Sequence, residues 1–242
     1  VMVLAVPRMQ DTISVLSAFQ EKVKLTAFEF FSDIALKHVC KHRSLAKPVQ
    51  TSSAYYVLLE CETSEQVHEA FEDCVAKGWV IDGVLGASEA QRVQLWQYRE
   101  GISESITPFT PYKNDLSVRV SDVPQFLAAA EACVGERYPG FEIVWFGHIG
   151  DGNLHLNILK PASLAVAEFK AQCEQVSEEV LGIVADFDGS VSAEHGVGLL
   201  KREQLHYSRS REELALMQGL KKVFDPAGIM NPGKLLRAPM AR

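Results

Sequence analysis

The segment Phe146-Gly-His-Ile-Gly-Asp-Gly-Asn-Leu-His-Leu-Asn157 constrains this chain more than any other. An Asp-Gly pair between alternating residues is the strongest short-range signal for a β-hairpin, because both turn positions favour positive φ. With Asp151 and Gly152 at the tip, the expected register sets Gly150 against Asn153, Ile149 against Leu154 and His148 against His155. Directly opposite residues on one face have Cβ atoms about 4.5–5.5 Å apart, near enough for two imidazoles to converge on one cation. Strand alternation places Phe146 and Asn157 on the histidine face. It assigns Trp145, Ile149, Leu154, Leu156 and Ile158 to the opposite face, as core. A slip of one residue would exchange the two faces. Taken alone, the two histidines are equally compatible with a half-buried cross-strand pair that holds no ligand.

A second cluster, Ser192-Ala-Glu-His-Gly-Val-Gly198, places a carboxylate and an imidazole side by side in a glycine-flanked loop. Two histidines and one carboxylate with open positions suit a catalytic divalent metal better than a closed structural site. Glu194 is therefore the expected third ligand beside His148 and His155. His195 then lies next to the cation, where an imidazole can take a proton near physiological pH. The competing reading of this loop is a helix N-terminus with a polar capping pair. A third cluster is cationic. Arg99 and Ser103 are four residues apart in an expected helix and share a face. Lys113 lies just before a strand expected at 115–120. A guanidinium fork, a hydroxyl and an ammonium group together hold a carboxylate well, although a lone helical arginine is more often a solvated surface residue.

Around these clusters, strand-like runs alternate with amphipathic helical stretches. Strands are expected at 1–6, 27–31, 54–60, 116–120, 141–150 and 153–159. Helices are expected at 11–24, 33–42, 88–106, 122–138 and 164–187. Two helix starts carry capping-box patterns, Thr63 with Gln66 and Ser88 with Gln91. Short β-α-β units with an intervening hairpin predict an α+β fold, a mainly antiparallel sheet covered by helices, with a helical C-terminal tail. No exact internal repeat is visible.

The 242 residues suffice for one large domain or two small ones. A net charge of −7 argues against a general nucleic-acid binder, whose phosphate affinity needs clustered Lys and Arg. No apolar run reaches the roughly 20 residues of a membrane helix. Five scattered cysteines with no C-x-x-C pair predict a reduced, intracellular protein. No G-x-G-x-x-G after a strand and no G-x-x-x-x-G-K-[ST] loop is present, so a nucleotide cofactor has no recognisable phosphate loop here. The chain opens on Val-Met-Val-Leu-Ala-Val, which reads as the middle of a strand, and a preceding domain is expected.

The motifs Ala27-Phe-Glu-Phe30, Pro48-Val-Gln50, Trp96-x-x-Arg99-Glu-x-Ile102, Asp115-Leu-Ser-Val118, Gly147–Asn157, Ser192–Gly198 and Asn231-Pro-Gly-Lys234 span nearly the whole chain. Together they resemble the C-terminal domain of FAD-linked oxidases of the vanillyl-alcohol-oxidase superfamily, the D-2-hydroxyglutarate and D-lactate dehydrogenase branches above all. The last three motifs, in that order, are highly specific. The resemblance implies a ferredoxin-like cap domain over 1–190, and a segment 191–242 that carries the metal and base loop and returns toward the flavin. It implies Zn²⁺ or another divalent metal on His148, His155 and Glu194, and substrate contacts at Arg99, Ser103, Lys113, Asn157 and His195. Asn231 and Lys234 would meet the edge of an FAD held mainly by an N-terminal domain that is not in this chain. The implied reaction is oxidation of a D-2-hydroxy acid (2-hydroxyglutarate, lactate or glycolate) to the 2-oxo acid. The implied partners are an electron acceptor such as electron-transfer flavoprotein or a quinone, and a second copy in a homodimer. The implied compartment is the cytoplasm, or the mitochondrial matrix in a eukaryote. Ser103 stands where relatives often carry threonine, and the Arg99–Lys113 interval is slightly shorter than in hydroxyglutarate enzymes, which leaves the choice of acid open. Two other functions fit the bare residues: a metal-dependent hydrolase, and a non-catalytic ligand-sensing domain.

Overall fold

One β-α-β pattern, used twice, organises the chain. The computed structural model describes residues 1–62 and 64–237. The first unit comprises β1 (Met2–Val6), α1 (Met9–Lys22), β2 (Leu25–Ser32), α2 (Asp33–Arg43), β3 (Tyr55–Cys61), α3 (Glu65–Ala76) and β4 (Asp82–Leu85). Two helices follow, α4 (Glu89–Glu100) and α5 (Ile102–Ile106). The second unit comprises β5 (Tyr112–Ser117), α6 (Val123–Arg137), β6 (Glu142–Gly147), β7 (Asn153–Leu159) and α7 (Val166–Asp186), and α8 (Arg211–Phe224) lies beyond it.

The seven strands form one sheet in the order β4-β1-β3-β2-β6-β7-β5, and every pairing is antiparallel. Its first four strands have the ferredoxin-like order, with α2 inserted between the second and third. The second unit repeats the same order as β5-β7-β6. Where a fourth strand would add beside β5, the chain makes only a bridge between Ser117 and Ser190. The expected α+β, mainly antiparallel architecture is therefore present, doubled edge to edge through β2 and β6. The sequence shows no sign of this repeat, because a shared topology needs a shared polarity pattern and not shared residues.

Two apolar layers sandwich the sheet. On one face α1, α3, α6 and α7 pack against Leu4, Phe30, Leu59, Trp145, Leu154, Leu156 and Ile158. On the other face α2, α4 and α5 bury Phe31, Tyr56, Leu58, Val144 and Phe146. These last three helices cover the first unit and stop near β6. Among the described residues no helix covers the same face of β7 and β5, and His155, Asn157, Lys113 and Asp115 gather there.

The helices start where local chemistry directs. Ser88 and Gln91 form the expected capping box, with both reciprocal hydrogen bonds made. Thr63 lies outside the described residues, and α3 begins after Ser64. The helix expected over 88–106 is divided at Gly101, where a Cβ would press on the Gln97 carbonyl oxygen and the Arg43 side chain. The strand expected from 116 begins at Tyr112, so Lys113 lies within it. β4 escapes sequence reading because it is short, edge-bound and interrupted by Gly83.

The hairpin turn departs from the two-residue expectation. Ile149–Asp151 forms a 3-10 turn, Gly152 takes φ 70°, and Asn153 N–H closes a four-residue loop onto the His148 carbonyl at 3.2 Å. His155 consequently pairs with Phe146 and not with His148. The cause is Ile149, which is fully buried in the core and draws the turn inward. The shift is of two residues, so side-chain parity is conserved and both predicted faces survive. Gly152 is irreplaceable here: besides its positive φ, a Cβ would run into the Val118 carbonyl oxygen. Gly152→Ala is expected to cost roughly 1–3 kcal/mol, lowering Tm by on the order of 2–4 °C per kcal/mol. A melting curve checks this, and an unchanged Tm would mean the turn relaxes freely.

Candidate functional site

His148 ends the β6 side of the hairpin, and His155 stands two registers away on β7, with ring centroids 5.6 Å apart. Their Nε2 atoms both face one oxygen. Glu194 Oε1 lies 3.7 Å from His148 Nε2 and 3.4 Å from His155 Nε2. The three ligand atoms fall within 4.8 Å of one another. The sequence-predicted trio is thus brought together, although Glu194 is about 40 residues beyond the hairpin. Asn153 Nδ2 donates to the same Glu194 oxygen at 3.0 Å, which holds the carboxylate toward the imidazoles.

The loop carrying Glu194 is fastened to β5. Asp115, 4% exposed, accepts from the backbone N–H of Glu194 at 3.1 Å and of His195 at 3.3 Å. Lys201 Nζ donates to the carbonyl oxygens of Val191 and Asp115 and to Ser192 Oγ, at 2.8, 3.2 and 3.3 Å. Burial lowers the Lys201 pKa, with Asp115 opposing. For Asp115, burial by itself would raise the carboxyl pKa. The His155 side chain and the two backbone N–H groups outweigh it, and the group lies well below the usual carboxylate range. His195 is mostly exposed beside this cluster, with Nδ1 3.6 Å from Asp115 Oδ2 and its ring nearly parallel to that of His155.

A cationic wall completes the site. Arg99, Ser103, Lys113, Phe146 and Asn157 line one cavity of about 270 Å³ together with His148, His155, Glu194 and His195. Lys113 pairs with Asn157 across β5 and β7, so strand alternation directs both to this face. Arg99 is not the solvated helix residue that base expectation favours. It is buried, with its guanidinium carbon 4.8 Å from the Phe146 ring centroid. Glu29 Oε2 accepts from its Nε at 3.0 Å and lies 2.9 Å from a terminal nitrogen as an ion pair. Burial lowers the Arg99 pKa and Glu29 counters it, but a guanidinium keeps its charge. Part of its donor fork is thereby engaged within the protein.

Sequence reasoning missed Glu29, Asp115, Asn153 and Lys201. The available signal was, for Glu29, a carboxylate flanked by apolar residues in a strand, as in Ala27-Phe-Glu-Phe30. Buried charges of this kind persist only when paired or ligated. Asn231 and Lys234 bond to each other on the surface at 3.2 Å and are not among the cavity's lining residues.

The donor set fits a divalent cation. Two imidazole nitrogens and a carboxylate oxygen converge, leaving positions open. The Nδ1 of His148 donates to Glu29 Oε1 at 2.8 Å. The Nδ1 of His155 lies 3.5 Å from Asp115 Oδ1, a buried oxygen that has no hydrogen-bond partner among the described residues. An imidazole engaged through Nε2 carries its proton on Nδ1 and needs such an acceptor.

The fold and the site together define a doubled antiparallel α+β domain with a cluster of histidine, carboxylate and cationic side chains on one face of its sheet. The family described as "FAD linked oxidases, C-terminal domain" matches residues 1–235, and the chain belongs to it. It is 53% identical over 242 residues to D-2-hydroxyglutarate dehydrogenase of Stutzerimonas stutzeri, covering 98% of this chain and 52% of that protein. It is 49% identical over 240 residues to the D-2-hydroxyglutarate dehydrogenase of Xanthomonas citri, covering 97% and 51%. The chain spans about half the length of these curated relatives. In three dimensions it is similar to 4-ethylphenol oxidase from Gulosibacter chungangensis, with a TM-score of 0.63 at 12% identity over 99% of this chain and 54% of that one, a likeness of fold alone. Among the described residues, no helix is long and apolar enough to cross a membrane.

Proposed function

We propose that this chain is the substrate- and metal-binding part of an FAD-dependent dehydrogenase that oxidises a D-2-hydroxy acid to the 2-oxo acid, with D-2-hydroxyglutarate the leading substrate. The observation that carries the reading is the convergence of His148, His155 and Glu194 in the cavity that Arg99 and Lys113 make cationic. In this reading residues 1–190 form the cap, and residues 191–242 bring the metal and base loop and return toward the flavin at Asn231 and Lys234. FAD, held by the length of the relatives that this chain does not span, supplies the two-electron oxidant when bound. The divalent metal, Zn²⁺ by its donor set, supplies Lewis acidity at the 2-hydroxyl when bound on His148, His155 and Glu194.

The chain's own residues do the rest. Lys113, for which no ion-pair partner is found among the described residues, offers its side-chain nitrogen to a carboxylate of the substrate. Arg99 adds the donors that Glu29 leaves over, and Ser103 and Asn157 supply neutral polar groups along the same wall. A second carboxylate, as in hydroxyglutarate, gives that wall an anion that lactate and glycolate lack. His195 takes the hydroxyl proton at its imidazole, held beside the cavity by the hydrogen bond from its backbone N–H to Asp115. Phe146 and the hairpin wall it off from the apolar layer behind. The electrons pass on to an acceptor such as electron-transfer flavoprotein or a quinone, and a homodimer and a cytoplasmic or mitochondrial-matrix setting complete the proposal.

The test is anaerobic mixing of the intact flavoprotein with single 2-hydroxy acids. D-2-hydroxyglutarate is expected to bleach the flavin band, with its L enantiomer at least about 100-fold slower, as expected when several polar contacts must fit together. If no 2-hydroxy acid reduces the flavin, the proposal fails and hydrolysis or ligand sensing takes its place.

A further inference from the structure

Glu29 is an expensive residue in its setting. It sits in the middle of β2, 6% exposed, between Phe28 and Phe30, where an unpaired carboxylate would cost several kcal/mol. Its two oxygens are divided between two other elements. Oε1 accepts from His148 Nδ1 on the β6 side at 2.8 Å, and Oε2 accepts from Arg99 Nε of α4 at 3.0 Å, with a terminal nitrogen of the same guanidinium 2.9 Å away. The β2–β6 pairing is what sets Glu29 opposite His148, since Phe30 faces Gly147 one register further along.

The geometry points to Glu29 as a positioning residue that orients the cation-facing imidazole of His148 and the anion-facing guanidinium of Arg99 at once. This rests on the reading above that His148 is a metal ligand. A carboxylate accepting at Nδ1 requires the ring proton there, which leaves the Nε2 lone pair free and more basic, and Nε2 is the atom directed at Glu194. On the other side, the same carboxylate holds one edge of the guanidinium over the Phe146 ring and turns the remaining donors to the cavity. The corresponding contact of His155 with Asp115 is longer, at 3.5 Å. One side chain therefore couples the metal half of the site to its anion half, across the junction of the two repeated units.

The measurement is the Zn²⁺ dissociation constant of the intact protein at fixed pH, by competition with a chromophoric chelator, with the Co²⁺-loaded visible spectrum alongside. Glu29→Gln keeps the shape and removes the charge. It is expected to weaken Zn²⁺ binding about 10–100-fold and to shift the Co²⁺ bands. Arg99→Met leaves Glu29 on His148 and should bind Zn²⁺ as the unaltered protein does. Should Glu29→Gln fail to fold around a lone buried Arg99, the double variant Glu29→Gln/Arg99→Met carries neither charge and must show the same 10–100-fold loss. A folded Glu29→Gln or double variant with unaltered Zn²⁺ affinity overturns the proposal, and so does a lowered Tm as the sole change, which would mark Glu29 as structural only. Failure of the unaltered protein itself to bind Zn²⁺ removes the metal reading first and this one with it.

Discussion

Replacing His148 with alanine is expected to strip the metal from the intact protein and to lower turnover by about three orders of magnitude. The size follows from the Lewis-acid contribution of a bound cation, several kcal/mol of transition-state stabilisation, at 1.36 kcal/mol per tenfold in rate. His148 contributes one of three ligand atoms, and losing it leaves one imidazole and one carboxylate, a set that no longer encloses a cation. The fold should tolerate the change. The side chain is 39% exposed, the turn is anchored by buried Ile149, and Glu29 keeps its ion pair with Arg99. Unfolding free energy should therefore move by no more than about 1 kcal/mol. Metal content by mass spectrometry, turnover with an artificial electron acceptor and a melting curve, all on one preparation, decide the matter. Full turnover in a metal-free variant would end the Lewis-acid role.

His195→Gln should behave in the opposite way with respect to metal. Its imidazole is outside the trio and 66% exposed, so metal content and Tm are expected to match the unaltered protein. Turnover is expected to fall by about 10²–10⁴-fold, the usual contribution of a general base, with KM little changed because the cationic wall is intact. The two variants thus separate two roles: loss of rate with the metal for His148, and loss of rate without it for His195. Undiminished kcat in His195→Gln would assign proton removal to another group or to solvent.

The candidate site was legible in the sequence to the extent that its chemistry is local. The spacing of His148 and His155 around Asp-Gly put both imidazoles on one strand face, and this held even though the turn is two residues longer than predicted. Parity of side chains is a property of the extended backbone, so an even shift leaves it untouched. Glu194 and His195 were legible as an adjacent acid and base in a loop with glycines. The α+β class, the capping box at Ser88 and the burial of Trp145, Leu154 and Leu156 follow in the same way from periodicity and local hydrogen bonding. The resemblance to FAD-linked oxidases accounts for much of the rest.

What the sequence by itself determined, then, is which faces are apolar, where the chain turns and which side chains carry chemistry. Only the tertiary structure decided that the ferredoxin-like unit is used twice, that β2 and β6 join the two copies, and that Glu29 meets His148, 119 positions away in the sequence. It also decided that Asp115 fastens the Glu194 loop and that Arg99 shares its fork with a buried carboxylate. Strand order and ion pairing across a sheet are set by the summed burial of two whole layers. Short-range patterns of polarity are blind to that sum, because the same local alternation is compatible with many strand orders.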